Sequence, residues 1–141
     1  MFVVGDNGNE INAYTLSTGF DLTSTVTHVD SFDISGQDTT PQFIKFNNNG
    51  TKMFVIGNTG DDINSYTLST GFDLTTATFN DINGDGTGFD ITDQDGVPRG
   101  LTFNNDGTKM FVVGDNGNEI NSYTLSAVSY THLTLPTICS V

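Results

Sequence analysis

One segment of the sequence places oxygen-bearing side chains at the spacing of a calcium-binding loop. The candidate ligands are Asp81, Asn83, Asp85, Thr87 and Asp90, with Gly86 directly after the third. Hard oxygen ligands at alternate positions, followed by glycine, form the first half of an EF-hand-like loop. Thr92 stands where such a loop has its bidentate Glu, so Asp90 or Asp93 must substitute. The spacing predicts a Ca²⁺ site, and the alternative is an ordinary Asn/Asp/Gly-rich surface hairpin.

The remaining titratable side chains do not form a catalytic pattern. Acidic clusters recur at residues 6–10, 61–62 and 115–119, each between two predicted strands. Paired carboxylates perform acid–base chemistry when their surroundings separate their pKa values, but recurrence at a turn favours solvated turn residues. His28 has no second histidine at ligand spacing and is predicted to lie on a strand surface. We therefore predict no catalytic residue, no cofactor except Ca²⁺, and no enzymatic activity.

The composition indicates a β-protein with many tight turns. Thr, Gly, Asn and Asp number 22, 16, 15 and 15, while the helix former Ala occurs three times. The 17 acidic and 4 basic side chains give a net charge of −13, which argues against a nucleic-acid partner. No stretch approaches the roughly 20 apolar residues of a membrane-spanning helix. The 11 Phe and 4 Tyr argue against a disordered acidic chain.

Internal repetition organises the chain. The segment 1–17 returns at 110–126 with a single difference, and a middle copy begins at Met53. The repeat spacings are 52 and 57 residues, because the middle copy carries five extra residues within an insertion at 79–88. We predict a partial repeat plus the first strand of the next at 1–52, a central repeat at 53–109, and a truncated repeat at 110–126.

Both ends of the chain depart from the repeat. Met1 aligns with two internal methionines, so we expect it to be an internal residue used as a start. After Ser126 the repeat stops, and residues 127–137 resemble the translation of a common sequencing adapter. We interpret residues 127–141, which contain the single cysteine Cys139, as a non-native tail. The alternative is a divergent C-terminal strand.

The sequence pattern of each repeat predicts four short strands joined by hairpins. Alternating segments follow Pro41 and Pro98, Asn/Asp-Gly turns come next, and the run 53–56 is continuously apolar. Asn or Asp with Gly is typical of tight hairpin turns, and a continuous apolar run suits a strand buried on both faces. Third strands are predicted at 11–17, 63–69 and 120–126, and weaker fourth strands at 31–34 and 88–91.

Four antiparallel strands per roughly 50 residues favour β-propeller blades over a β-solenoid, whose strands are parallel. The predicted fold class is all-β, a fragment of a β-propeller with about 2.4 blades, fewer than the four needed for closure. We therefore expect an open stack whose exposed blade edges self-associate.

The segment 103–124, with its Asp106-Gly107 turn and Phe-Val strand, resembles the blade repeat of YVTN-type and lactonase-like β-propellers. That resemblance extends over residues 1–126 and implies a secreted, cell-surface or virion protein of microbial origin. The expected function is a non-catalytic scaffold for binding, adhesion or display of a protein or glycan ligand. The alternative is a truncated lactonase-like enzyme whose active residues lie in missing blades.

Overall fold

The structure, a computed structural model, describes residues 1–125 and is all-β, as predicted. The strands are β1 (Phe2–Gly5), β2 (Glu10–Leu16), β3 (Val26–Asp33), β4 (Pro41–Phe46), β5 (Lys52–Gly57), β6 (Asp62–Leu68), β7 (Ala77–Phe79), β8 (Phe89–Asp90), β9 (Pro98–Phe103), β10 (Lys109–Gly114) and β11 (Ile120–Thr124). A short 3-10 helix, Leu74–Thr76, precedes β7. The predicted adapter-derived tail lies outside the described residues. No helix within residues 1–125 is long and apolar enough to cross a membrane.

The strands form three antiparallel sheets. The first sheet has the order β1-β2-β3, and the third has β9, β10 and β11 as consecutive neighbours. The central sheet has the order β4-β5-β6-β7, and β8 also pairs with β6. None of these sheets closes on itself. Because most strands pair with a neighbour in sequence, short hairpins are sufficient to connect them.

The sheets pack face to face, and β5 lies in the middle of the stack. Met53 and Val55 belong to the core cluster shared with the first sheet, whereas Ile56 belongs to the cluster shared with the third. All three side chains are 0% exposed. Alternate side chains of a strand point to opposite faces, so the continuous apolar run is confirmed as a strand buried on both sides.

The fourth strands overlap their predicted positions and extend beyond them. In the first sheet the strand is longer than predicted, because β3 pairs with β2 over its whole length. Its register shifts where Ala13 pairs with Asp30 and Tyr14 pairs with His28, which leaves Val29 as a bulge. In the central sheet the same strand is divided into β7 and β8, which pair with opposite ends of β6.

The insertion explains this division. The intervening segment, residues 80–88, leaves the sheet between β7 and β8, near the place where the first sheet has its bulge. A bulge already leaves a residue unpaired and bends its strand, so extra residues at this point disturb the rest of the ladder little. The sequence predicted an insertion at 79–88, but it did not reveal that a strand lies on both sides of this segment.

The predicted Asn/Asp-Gly turns are confirmed by the backbone. Gly50 and Gly107 occupy equivalent turns with φ angles of 73° and 71°, a region that glycine enters without steric cost. The turns that follow β1, β5 and β10 each have a non-glycine residue with positive φ at an equivalent position: Asn9, Asp61 and Asn118. Asn and Asp tolerate this left-handed conformation better than other side chains do.

Candidate functional site

The predicted calcium loop forms an exposed excursion from the central sheet. Asp81 is the residue on which its backbone converges. The Oδ1 atom accepts hydrogen bonds from the amides of Gly84 and Asp85 at 2.6 and 3.2 Å, and Oδ2 accepts one from Gly86 at 3.1 Å. Gly84 and Gly86 have positive φ, which lets the chain turn sharply around this carboxylate. Asn83 is exposed on the same loop.

Two other predicted ligands, Asp85 and Asp90, make hydrogen bonds that do not involve Asp81. Asp85 accepts hydrogen bonds from the amide and hydroxyl of Thr87, at 3.0 and 2.7 Å. Asp90 lies in β8 and does the same with Thr92, at 2.8 and 2.6 Å. The threonine hydroxyl and then the amide lower the pKa of both carboxyls. Within residues 1–125, no three His, Cys, Asp or Glu side chains are grouped to hold a metal, so Ca²⁺ binding stays a prediction.

Both of these pairs belong to a motif used throughout the chain. An Asp or Asn side chain accepts the amide of the residue two positions later, and a Thr or Ser usually stands there. The pairs are Asp21–Thr23, Asp33–Ser35, Asp38–Thr40, Asn49–Thr51, Asp73–Thr75, Asp85–Thr87, Asp90–Thr92 and Asp106–Thr108. These are Asx turns, in which the side chain substitutes for a backbone acceptor. They explain why Asp and Thr are so abundant.

Asp62 contradicts the prediction of solvated turn residues at positions 61–62. Its side chain is buried, with 5% exposure, beneath the end of the insertion loop. The Oδ2 atom accepts the amide of Gly88 at 2.8 Å, and Oδ1 accepts the side-chain amide of Asn64 at 2.8 Å. Burial, with a further contribution from the charge of Asp90, raises the pKa of the Asp62 carboxyl. The insertion therefore changes a turn carboxylate into a buried one.

A second buried carboxylate, Asp38, lies in the connection between the first and central sheets. Its Oδ1 atom accepts the amide of Thr40 at 2.6 Å, while Oδ2 is buried without a hydrogen-bond partner. Burial is the main cause that raises its pKa, and the charge of Asp62 adds to it. The carboxylate packs on the backbone of Gly57, where a Cβ atom would overlap it.

The third sheet repeats this arrangement. Asp95 is 2% exposed and accepts the amide of Val97 at 2.8 Å and that of Asn116 at 3.4 Å. It packs on Gly114 as Asp38 packs on Gly57. The sequence analysis missed both aspartates. Their signal is a Gln-Asp pair shortly before each strand-initiating proline, together with a glycine at the end of the following apolar strand.

The buried carboxylates also affect Tyr66. Its side chain is 1% exposed, and its hydroxyl donates to Oε1 of Gln37 at 3.4 Å. Burial first, and then the negative charges of Asp62 and Asp38, raise the Tyr66 pKa far above its ordinary value. Tyr66 is consequently a neutral hydrogen-bond donor at any physiological pH, and its role in this core is structural.

A cleft of about 700 Å³ opens between the β4–β5 turn and the β9–β10 turn. Its lining includes Asn48, Asn49, Lys45, Lys52, Phe54, Phe103, Asn105 and Asp106. The two turns have nearly the same sequence, and the side-chain amide of Asn48 donates to the carbonyl of Asn105 at 3.2 Å. The rings of Phe54 and Phe103 lie 4.6 Å apart at its side. Sequence reasoning identified these turns but did not predict that they face each other.

The cleft concentrates positive charge that is scarce elsewhere. Two of the four basic residues, Lys45 and Lys52, line it. A third, Arg99, forms an exposed ion pair with Asp115 at 2.9 Å and donates to Oε1 of Gln42 at 3.0 Å, linking the third sheet to the central one. In a chain with a net charge of −13, the cleft therefore combines two ammonium groups with one carboxylate, Asp106, and so reduces the repulsion of a ligand that carries anionic groups.

His28 lies on the outer strand of the first sheet, as predicted. Its Nε2 atom is 3.1 Å from both Oδ1 of Asn12 and the hydroxyl of Ser31. The hydroxyl of Ser31 also donates to Oδ1 of Asn12 at 2.8 Å. These contacts form an exposed polar cluster across the β2–β3 pair.

Comparisons with protein-family models, with curated proteins and with solved structures found no match.

Proposed function

We propose that this chain is a non-catalytic repeat scaffold of the β-propeller type, and that it binds a glycan in the cleft between its two Asn-rich turns. The observation that carries the proposal is the pairing of two equivalent turns around one cleft. Antiparallel sheets stacked face to face, formed by successive repeats, accord with propeller blades, which are small antiparallel sheets arranged around a central channel. A secreted, cell-surface or virion location accords with this role.

The chemistry of the cleft supports a hydroxyl-rich ligand. Asn48, Asn49 and Asn105 are exposed, and each carboxamide offers donors and acceptors that match the hydroxyl groups of a sugar. Phe54 and Phe103 supply apolar surface for the ring faces. Lys45 and Lys52 add ammonium groups, so an acidic sugar is favoured over a neutral one.

The use of the acidic side chains supports a structural rather than a catalytic role for them. Most of the Asp residues in turns accept hydrogen bonds from their own backbone, and the buried Asp38, Asp62 and Asp95 support connections and loops. A catalytic pair needs two titratable groups directed at a common substrate position. Most of the turn aspartates are instead directed at main-chain amides, and Asp115 pairs with Arg99.

A glycan array containing neutral and uronic-acid-bearing oligosaccharides tests the proposal. We expect the full chain to bind acidic oligosaccharides, and the double variant Asn48→Ala/Lys52→Ala to lose at least about tenfold in affinity, because two polar contacts are removed. Asn83→Ala, on the exposed insertion loop, is the matched control and should bind as the unmodified chain does. Absence of binding to every oligosaccharide, or equal binding by the double variant, would refute a glycan site in this cleft.

A further inference from the structure

The two sheet-to-sheet interfaces of the chain are built from equivalent residues. At one end of the interface, Phe2 of the first sheet lies 4.5 Å from Phe46 of the central sheet, measured between ring centroids. Phe54 of the central sheet lies 4.6 Å from Phe103 of the third. The interplanar angles are 44° and 45°, so one packing geometry occurs twice.

The opposite end of the interface is repeated as well. Phe32 meets Tyr66 at 5.5 Å with an angle of 87°, and Phe89 meets Tyr123 at 5.6 Å with an angle of 89°. In each pair the phenylalanine belongs to the fourth strand of one sheet and the tyrosine to the third strand of the next. The stack therefore has a direction. Each sheet directs one face, here called the forward face, at the next sheet along the chain, and the opposite face, the backward face, at the preceding sheet.

The centre of the interface follows the same rule. Ile56 and Ile63 on the forward face of the central sheet share a core cluster with Met110 and Val112 on the backward face of the third. These four side chains are 0–3% exposed. Forward faces thus carry a pair of branched aliphatic residues, and backward faces carry Met and Val two positions apart.

The third sheet presents an unused forward face. Val113 and Ile120, the equivalents of Ile56 and Ile63, are 46% and 71% exposed. With Gly100, Thr102 and Phe111 they line an apolar depression of about 470 Å³, which Phe43 of the central sheet also borders. Within residues 1–125, no further sheet covers this face.

The first sheet presents an unused backward face. Met1 and Val3, the equivalents of Met110 and Val112, are each 45% exposed. Tyr14, the equivalent of Tyr66 and Tyr123, is on the same face of β2 and is partly exposed. One chain thus has an open face of each kind.

We propose that a second copy of this chain covers these open faces. The forward face of the third sheet docks on the backward face of the first sheet of the next molecule. The aliphatic residues of the two faces, Val113 and Ile120 on one and Met1 and Val3 on the other, are of the types that already pack against each other twice within the chain, at equivalent register positions. Each aromatic pair contributes one member to this contact, Phe111 on the forward face and Tyr14 on the backward face. Exposed apolar faces of this kind mark interaction surfaces. Because the contact is heterologous, it produces either a closed ring or an open stack of molecules. This contact is distinct from pairing through strand edges.

Two single variants and their mixture test the proposal by sedimentation over a range of concentrations. We expect the full chain to sediment as concentration-dependent oligomers, and Val3→Lys or Ile120→Asp alone to be monomeric. Each variant retains one intact face, so an equimolar mixture of the two should form a dimer. Ile82→Asp, at a 55% exposed position of the insertion loop, is the control and should associate as the unmodified chain does.

Three outcomes would overturn the proposal. The full chain could remain monomeric at all concentrations, the single variants could associate unchanged, or the mixture could fail to form a dimer. Circular dichroism of each variant checks that the β-structure is retained. Since Val3 and Ile120 are both exposed on strand surfaces, substitution there leaves the described core intact.

Discussion

At the residue scale, the same carboxylate chemistry is used in two environments. Exposed aspartates such as Asp21 and Asp106 accept the hydroxyl and amide of the threonine two positions later, which lower their pKa values. Asp38 and Asp62 are buried, and burial raises theirs. The Asx-turn aspartates could be predicted from the Asp-x-Thr pattern alone. The burial of Asp38 and Asp62 does not follow from that pattern, because the groups that cover them come from elsewhere in the chain.

The raised pKa of Asp38 predicts a pH dependence of stability. Between the unfolded value near 3.8 and the raised folded value, the folded chain binds more protons than the unfolded chain. The free energy of unfolding therefore falls as the pH rises through this window. We expect Asp38→Asn to flatten the decline between about pH 4 and pH 7, as measured by urea denaturation at several pH values.

Asp106→Asn is the control for this experiment. Asn49 occupies the equivalent turn position, so the fold accepts the amide there. The Asp106 pKa is lowered by its hydrogen bonds to Thr108, so its stabilising contribution is present at neutral pH and declines only in acid. The control should leave the slope between pH 4 and pH 7 unchanged. An unchanged slope in Asp38→Asn would contradict the assignment of Asp38 as a buried, proton-binding group.

At the element scale, equivalent turns differ in what covers them. Gly50 and Gly107 have almost the same positive φ, but the ring of Phe72 lies on Gly50, whereas no atom of residues 1–125 lies within 4 Å of a Cβ placed on Gly107. Alanine at either position must adopt an unfavourable backbone conformation, which costs about 1 kcal/mol. At Gly50 the new Cβ also collides with the Phe72 ring, and overpacking of this kind costs a further 1–3 kcal/mol or so.

We therefore expect Gly50→Ala to destabilise the chain by roughly 2–4 kcal/mol and Gly107→Ala by about 1 kcal/mol. Thermal and urea denaturation of the two variants would measure the difference. Since backbone strain is common to both, that difference reports the contact with Phe72. Equal losses would show that the Phe72 ring does not pack on this turn.

The insertion loop carries the calcium prediction. We expect millimolar Ca²⁺, the range used by extracellular calcium modules, to raise the melting temperature of the full chain. Asp81→Asn should abolish that increase, because Asp81 is the carboxylate on which the loop converges. Asp106→Asn should leave it unchanged. A melting temperature that does not respond to Ca²⁺ would reject the site.

Several elements follow from local sequence and others do not. The alternating and continuous apolar runs predicted β4, β5, β9 and β10, because strand periodicity is a local property. The predicted fourth strands coincide with β8 and with the end of β3, but the first part of β3 and all of β7 were not predicted, since their polar sequences form strands only through pairing with β2 and β6. Likewise, the end of the insertion loop covers the Asp62 carboxylate, which accepts the amide of Gly88, 26 residues away. No local sequence pattern indicates this contact.

At the scale of the whole molecule, repetition of the sequence produces repetition of the interface. The segments that recur in sequence form equivalent strands in successive sheets, and the aromatic pairs between sheets recur with them. The repeat predicted equivalent units. It could not show which faces meet or that two Asn-rich turns enclose a cleft, because both depend on how whole sheets are placed relative to each other.

The central claim is that this cleft binds a glycan, and side-chain amide NMR tests it most directly. An acidic oligosaccharide selected on the array would be titrated into ¹⁵N-labelled full chain. We predict that the Asn48, Asn49 and Asn105 side-chain resonances shift with saturation, whereas that of Asn83 does not move. Shifts confined to other positions, or the absence of any saturable shift, would contradict the account.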